Sequence, residues 1–309
     1  MNVIGAPCQL QAGLRPICLA IGFFDGVHLG HQRILEQCLS QARRTGACSV
    51  AVTFDRHPNE IVARSRVPPL IYSLSTKLRV LELVGLEATC VLPFDKPFSQ
   101  LTAEQFIANM AAGFKPLQSV SVGRAFTFGH RRLGNVALLK AMGKKLGFRV
   151  VDAREVILEG TPVSSTRVRE WVRAGDFDGA ARLLGRPYTL RAPVAPGTGL
   201  GRQLGFPTAN LDTAGLLTPP EGVYAGRAEI GGRQHGAAIN IGRRPTVCSS
   251  SAASVVEAHL LDFQGDLVGQ QLELTFLKKL RREQKFPSVD ALRGQIAADI
   301  ALARQSLKT

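Results

Sequence analysis

The hydrophobic pattern of this 309-residue chain changes after Leu184, and that change limits the fold more than any other feature. Before it, short apolar runs at 17–21, 49–54, 88–92, 119–122 and 149–151 alternate with helical patterns near 31–45, 75–84, 103–111, 135–146, 166–174 and 177–184. Fully apolar strands separated by helices predict a parallel sheet covered on both faces. After it, β-leaning runs at 222–230, 235–241, 254–262 and 271–277 follow one another with turn signals such as IGGR and DFQGD. Sequential short strands predict an antiparallel barrel or sandwich. One helix closes the chain, with Ser288 as predicted N-cap and Val289, Leu292, Ile296 and Ile300 as its apolar stripe. Between the two patterns runs LGRPYTLRAPVAPGTGLGRQLGFPTAN, rich in Gly and Pro, so the boundary is placed near 186 and the domains are read as 1–186 and 187–309.

Hydrophobic residues make up 45% and charged residues 20%, enough for real cores and unlike a disordered chain. No apolar run approaches the ~20 residues a membrane helix needs, so no membrane partner is expected. The N-terminus lacks a basic start followed by an apolar core, so no secretory signal is expected. The net charge of +14 favours anionic partners. The charge is scattered, however: Arg43-Arg44, Arg131-Arg132, Lys144-Lys145, Arg243-Arg244 and the 278–282 cluster include no run of five like charges, and aromatics are only 6%. Nucleic acid is therefore not the expected partner. The rival reading, a non-catalytic nucleic-acid-binding protein, predicts strongly salt-dependent affinity without turnover. The six cysteines form no CxxC pair and no zinc spacing, and several sit in apolar runs, which fits a reducing cytoplasm.

Two constellations carry chemistry. In CLAIGFFDGVHLGHQRILEQCL a buried strand ends at Gly22, Asp25-Gly26 is turn chemistry, and His28-Leu29-Gly30-His31 opens a helix. Two histidines three apart at a helix start lie near free backbone N–H groups and the positive end of the helix dipole, and Gly30 lets a ligand approach the backbone. That suits a polyphosphate, and a reaction whose charge builds on non-bridging phosphate oxygens. The segment VSSTRVREWVRAGDFDGAARLL adds Ser164, Ser165, Thr166, Arg167 and Arg169 at another helix start. This is either an anion clamp or an ordinary cap, Ser165 or Thr166, with solvent-facing arginines. No GxxxxGK[ST] occurs, which excludes a P-loop kinase.

The second constellation is GTGLGRQLGFPTANL. Gly197, Gly199, Gly201 and Gly205 make a loop able to approach phosphates, Arg202 adds charge, and Pro207 fixes the backbone before Thr208-Ala209-Asn210. A hydroxyl and an amide two residues apart can aim at one Mg²⁺, which takes hard oxygen ligands.

Over almost its whole length the chain resembles the bacterial bifunctional riboflavin kinase/FAD synthetase family. The resemblance rests on GFFDGVHLGH, SSTRVR, STKLRVLELVG, VGRAFTFGHRRLGN, GRQLGFPTANL, EGVYAG, INIGRRPT, VEAHLLDF and FLKKLRREQKF. It implies an N-terminal nucleotidyltransferase of Rossmann-like α/β topology, transferring AMP from ATP to FMN with release of pyrophosphate. It further implies a C-terminal riboflavin kinase built as a six-stranded β-barrel with a closing helix, so that riboflavin, FMN, FAD and ATP are the small-molecule partners. Carried over, His28 and His31 would meet the ATP phosphates. Ser165, Thr166 and Arg169 would hold the triphosphate and leaving pyrophosphate, and Gly22, Phe24, Asp25 and Gly26 would shape the nucleotide loop. In the second half, Thr208 and Asn210 would bind Mg²⁺ and the ATP phosphates, and Glu257 would be the general base for the riboflavin 5′-hydroxyl. The alternation of Val255, Glu257 and His259 does not by itself decide which face Glu257 takes.

The chain departs from the family pattern at four positions. Phe23 replaces a common Asn, Arg56 stands in FDRHP where Pro is usual, Ala125 stands in GRAFTFG where Asp or Asn usually precedes Phe, and Ala192 stands where Gly is frequent. Ala125 matters most, because alanine offers no hydrogen bond to a ligand. A missing charge-assisted contact is worth roughly 1.5–3 kcal/mol. The expectation is adenylyl transfer that persists in weakened form. The alternative is a riboflavin kinase whose first domain no longer adenylylates.

Overall fold

The computed structural model describes residues 1–243 and 254–308. Cys248, Arg244 and the end of INIGRRPT fall outside the described residues. Two compact units divide the chain: Met1–Leu70 with Leu74–Ser165, and Ile71–Ser73 with Thr166–Thr309.

The first unit is built on strands β1 (Asn2–Ile4), β2 (Ile17–Ile21), β3 (Cys48–Phe54), β4 (Ala88–Leu92), β5 (Leu117–Gly123) and β6 (Arg149–Ala153). They form one sheet in the order β1-β4-β3-β2-β5-β6, and every neighbouring pair is parallel. All five residues of β2 are buried, because alternate side chains feed two cores. Cys18 and Ala20 join Ile34, Leu35 and Cys38 of helix Leu29–Thr45, while Leu19 and Ile21 join Phe106, Ile107 and Met110 of helix Ala103–Gly113. A sheet buried on both faces cannot show polar alternation, which is why its strands read as continuous apolar runs. From β2 the chain builds outward to β3 and β4 on one side and to β5 and β6 on the other. The carboxyl ends of β2 and β5 therefore flank the switch point where open α/β sheets bind ligands. A short hairpin, β7 (Ile157–Leu158) with β8 (Thr161–Pro162), follows.

The second unit is a closed barrel of β9 (Thr189–Ala195), β10 (Ala209–Leu211), β11 (Gly222–Ile230), β12 (Arg233–Arg243), β13 (Ser254–Leu260) and β14 (Gln271–Arg281), ordered β10-β13-β12-β11-β14-β9. Every neighbouring pair is antiparallel. The residue pattern alone allowed a barrel or a sandwich and showed four strands. The two extra ones, β9 and β10, lie inside the Gly/Pro-rich stretch and close the barrel. Their alternation is present but masked: Leu190, Ala192 and Val194 are buried while Pro193 between them is exposed. Ala192, one of the departures from the family pattern, thus faces the barrel core and removes no ligand contact.

Helix Val289–Ser306 closes the chain, and Ser288 Oγ accepts from the N–H of Ala291 at 3.2 Å, a cap worth about 1 kcal/mol. Val289 is exposed, outside the stripe expected of it, while Leu292, Ile296 and Ile300 are half-buried. The division by packing falls at Ser165, ahead of the compositional change near 186. Phe177 of helix Phe177–Leu184 packs at 5.8 Å from Tyr224 and 5.5 Å from Phe276, which draws that helix onto the barrel.

Candidate active sites

In the first unit, Gly22 ends β2 and the chain turns through Phe24, whose φ of 54° is left-handed, and Gly26, with φ 78°. Phe24 is fully buried, and a Cβ on Gly22 would come within 2.8 Å of its ring. Glycine is therefore required at Gly22 by close approach. His28 is the N-cap of helix Leu29–Thr45: its Nδ1 accepts from the N–H of His31 at 3.3 Å. The two imidazoles stack, with centroids 3.7 Å apart and planes 18° from parallel, and the ring of Phe24 meets His31 edge-on at 5.4 Å. A Cβ on Gly30 would press on the His28 ring at 3.1 Å and on the Val163 carbonyl at 3.3 Å.

These residues open onto a cleft of about 1290 Å³ at the carboxyl ends of β2 and β5. Gly22, Phe24, His28, Gly30, His31 and Ser164 line it, together with Phe23, Ala125 and the phenylalanines 54, 94, 98, 106, 126 and 128. Its basic lining includes Arg64, Arg66, Lys96, Arg124, Arg131 and Arg132 against one acidic side chain, Glu155. The wall is thus apolar and aromatic over one part and cationic over another, suited to a planar ring carrying phosphate.

Asp25 and Gly26 are buried in the turn and do not line the cleft. Ser165 Oγ donates to the Asp25 carbonyl at 3.0 Å, so its hydroxyl ties the second helix start to the turn. Thr166 and Arg169 lie on the same helix, Ser165–Ala174, beyond the last residue of the first unit, and Arg169 is buried.

Of the departures, Ala125 is exposed in the cleft, whereas Arg56 pairs with Asp55 (Nη2 to Oδ2, 2.8 Å) and does not line it. The Phe23 ring sits edge-on to His57 at 4.9 Å and beneath the Lys77 ammonium at 4.5 Å.

Lys77 is the functional-site residue that sequence reasoning missed. It is buried, and its Nζ donates to the Phe23 carbonyl, Thr53 Oγ1 and the Phe54 carbonyl at 3.2, 3.0 and 3.0 Å. Three acceptors match the three donors of an ammonium. Burial pushes its pKa down to about 8, against the opposing pull of Asp25 and Asp55. The only signal in the sequence was a lysine among the apolar positions of helix Leu74–Val84.

The second unit holds a cleft of about 730 Å³ on the outer side of the barrel. Ala209, Leu211, Val256, Ala258, Ile239 and Ile241 are buried toward the barrel core. By the two-residue period of a strand, Asn210, Glu257 and Asn240 project to the opposite face, and all three line the cleft. The alternation that sequence left open is settled: Glu257 faces the cleft. In the ladder Glu257 lies opposite Asn210 on one side and Asn240 on the other.

The glycine loop covers this face. Gly201, Arg202, Pro207 and Thr208 line the cleft; Gly205, at φ 90°, serves the turn and does not. A Cβ on Gly197 would overlap the Asn210 amide, and one on Gly201 would lie 2.9 Å from Thr208 Oγ1. The loop is held at two points: His259 Nδ1 donates to the Pro207 carbonyl at 2.8 Å, and Arg293 Nε donates to the Leu204 carbonyl at 3.2 Å. The far wall is the apolar stripe Leu292, Ile296 and Ile300, which explains why that stripe is only half-buried. Arg281 anchors this helix. Its guanidinium grips Asp299 through Nε at 2.9 Å and Nη2 at 2.7 Å, and Gln295 Nε2 donates to the same carboxylate at 2.9 Å.

Thr208 and Asn210 offer a hydroxyl and an amide oxygen beneath glycines that leave no room for a side chain. That donor set fits Mg²⁺, a hard cation that keeps several waters.

A parallel sheet with a phosphate-suited cleft, followed by a barrel with a glycine-covered one, defines a two-domain flavin nucleotide transferase. The FAD synthetase family model matches residues 10–167 and the riboflavin kinase family model matches residues 184–307. The chain is 40% identical over 303 residues to the bifunctional riboflavin kinase/FMN adenylyltransferase of Pseudomonas fluorescens, covering 96% of this chain and 97% of that one. It is 36% identical over 292 residues to the protein of that name from Haemophilus influenzae, covering 94% of each chain. A solved structure from Streptococcus pneumoniae, described as a macrolide-efflux protein, superposes with a TM-score of 0.81 at 27% identity over 98% of both chains. The chain belongs to the bifunctional riboflavin kinase/FMN adenylyltransferase family. Among the described residues no helix is long and apolar enough to cross a membrane.

Proposed function

We propose that the barrel cleft phosphorylates riboflavin to FMN with ATP, and that the sheet cleft joins FMN to the AMP of a second ATP, giving FAD and pyrophosphate. Each activity belongs to the family; the assignment of residues is this article's reading. The observation that carries it is the pairing of Asn210 with Glu257 on the face covered by the glycine loop.

In the barrel cleft, Glu257 takes the proton of the riboflavin 5′-hydroxyl. The freed oxygen bonds to the γ-phosphorus as the bond from that phosphorus to the β–γ bridging oxygen breaks, and ADP leaves. Gly201, Gly205, Arg202 and Pro207 shape and charge the loop over the triphosphate. Thr208 Oγ1 and the Asn210 amide oxygen would hold Mg²⁺, which when bound offsets phosphate charge. Leu292, Ile296 and Ile300 supply an apolar wall against the flavin side.

In the sheet cleft, a phosphate oxygen of FMN bonds to the α-phosphorus of ATP as the α–β bridging bond breaks, and pyrophosphate leaves. Charge builds on non-bridging oxygens, and His28 and His31 at the helix start stabilise it. Gly22, Phe24, Asp25, Gly26 and Gly30 shape the approach, and Ser165, Thr166 and Arg169 hold the departing pyrophosphate. Ala125 supplies no polar contact, which supports a weakened rather than absent second reaction.

The partners are small molecules, and nucleic acid has no part. The free, buried thiols of Cys18, Cys38, Cys48 and Cys90 suit the reducing cytoplasm. Incubation with riboflavin, ATP and Mg²⁺, read by chromatography, yields FMN and then FAD. Absence of any FMN contradicts the reading.

A further inference from the structure

One side chain on the barrel row has a place in the cleft and no role in the reaction described above. Asn240 of β12 lies directly opposite Glu257 of β13, and Asn210 of β10 lies opposite Glu257 from the other side. Directly opposed residues in an antiparallel pair hold their Cβ atoms about 4.5–5.5 Å apart, within reach of an amide and a carboxylate. The neighbours of Asn240 on its own strand, Ile239 and Ile241, are fully buried in the barrel core, so Asn240 belongs to the cleft face, which it lines.

The two amides that flank Glu257 have different chemistry available to them. Asn210 sits under Gly197 beside Thr208, where its oxygen is directed to the phosphate end. Asn240 is farther from that loop and keeps both its N–H donors for its neighbour. A carboxylate acting as base needs one oxygen aimed at the hydroxyl it deprotonates; a free carboxylate rotates and offers either oxygen in many directions. A single fixed donor on the other oxygen removes that freedom.

We propose that Asn240 is a positioning residue for the kinase reaction: its side-chain amide N–H holds one oxygen of Glu257 and leaves the other to take the riboflavin 5′-hydroxyl proton. The inference rests on the assignment of Glu257 as the base. Because Asn240 touches neither substrate, its loss acts on the rate constant and leaves binding in place.

The test uses the full chain with riboflavin, ATP and Mg²⁺. Asn240→Leu keeps the shape and removes the donors. Asn240→Asp keeps the shape and turns the donor into an anionic acceptor, and Asn240→Ser restores a shorter donor. The expected result is a kcat for riboflavin phosphorylation lowered about tenfold or more in Asn240→Leu, lowered further in Asn240→Asp, and partly recovered in Asn240→Ser. KM for riboflavin and ATP stays within about twofold throughout. Adenylylation of supplied FMN, read in the same preparations, stays at the wild-type level and shows that the chain is folded. Should Asn240→Leu lose its fold, the Asp and Ser variants carry the same comparison. A kcat unchanged in Asn240→Asp, or a loss confined to KM, overturns the role of Asn240. Glu257→Gln is measured alongside: its inactivity with an unaffected Asn240→Asp overturns the positioning role alone, whereas full activity of Glu257→Gln overturns the base assignment and this inference with it.

Discussion

Nζ of Lys77 donates to the main-chain carbonyl of Phe23 at 3.2 Å from a position closed to solvent. The same carbonyl accepts from Thr53 Oγ1 at 3.0 Å, and Thr53 Oγ1 in turn accepts from Lys77. This small network joins the end of β2 to the end of β3, directly before the turn that presents His28 and His31. Lys77→Met leaves buried acceptors short of a donor and is expected to destabilise the chain by about 2–3 kcal/mol, measured by urea unfolding, with FMN adenylylation lowered and riboflavin phosphorylation retained.

Lys77 also makes stability depend on pH. Its folded pKa is about 8 and its unfolded value 10.5. Between these two, the unfolded chain holds a proton that the folded chain has released, so stability rises with pH. The gain is absent below pH 8 and complete above pH 10.5, amounting to about 3 kcal/mol. The difference in unfolding free energy between wild type and Lys77→Met should therefore grow across that window. A flat difference contradicts the assignment.

Arg281 and Asp299 fasten the terminal helix beside the barrel cleft. Asp299→Ala strands the guanidinium, and the expected loss is about 2–4 kcal/mol. Because the helix supplies the wall of Leu292, Ile296 and Ile300, KM for riboflavin should rise while adenylylation of supplied FMN is unchanged.

Gly201→Ala would place a methyl 2.6 Å from the Phe206 carbonyl and 2.9 Å from Thr208 Oγ1. The loop has to shift over the phosphate site, and kcat/KM for riboflavin phosphorylation is expected to fall about 10–100-fold.

Ala125→Asn adds an amide to the exposed wall of the sheet cleft. One good hydrogen bond of about 1.5 kcal/mol corresponds to about tenfold, so kcat/KM for FMN adenylylation should rise by about that factor, measured with supplied FMN and ATP.

The sheet was legible because β2 to β6 are buried on both faces and read as apolar runs, and because Gly22 and His28 mark a strand–turn–helix. β9 and β10 were not: Pro193, Pro196 and four glycines of the loop conceal the alternation of Leu190, Ala192 and Val194. The face of Glu257 could not be read from Val255 and His259, since only the pairing with Asn210 and the burial of Val256 and Ala258 determine it. Lys77 escaped notice because a lysine in a helix is ordinarily solvated, and its burial follows from the three acceptors that two strand ends bring to it. Asn240 carries no local signal at all; its place beside Glu257 exists only once β12 and β13 are in register.

The most direct test of two separate reaction centres is the product pattern of two single variants. Wild type, His31→Ala and Glu257→Gln are each given ATP and Mg²⁺ with riboflavin or with FMN, and FMN and FAD are separated by chromatography. The account predicts both products from wild type, FMN without FAD from His31→Ala, and FAD from Glu257→Gln only when FMN is supplied. Either variant losing both reactions while remaining folded would contradict it.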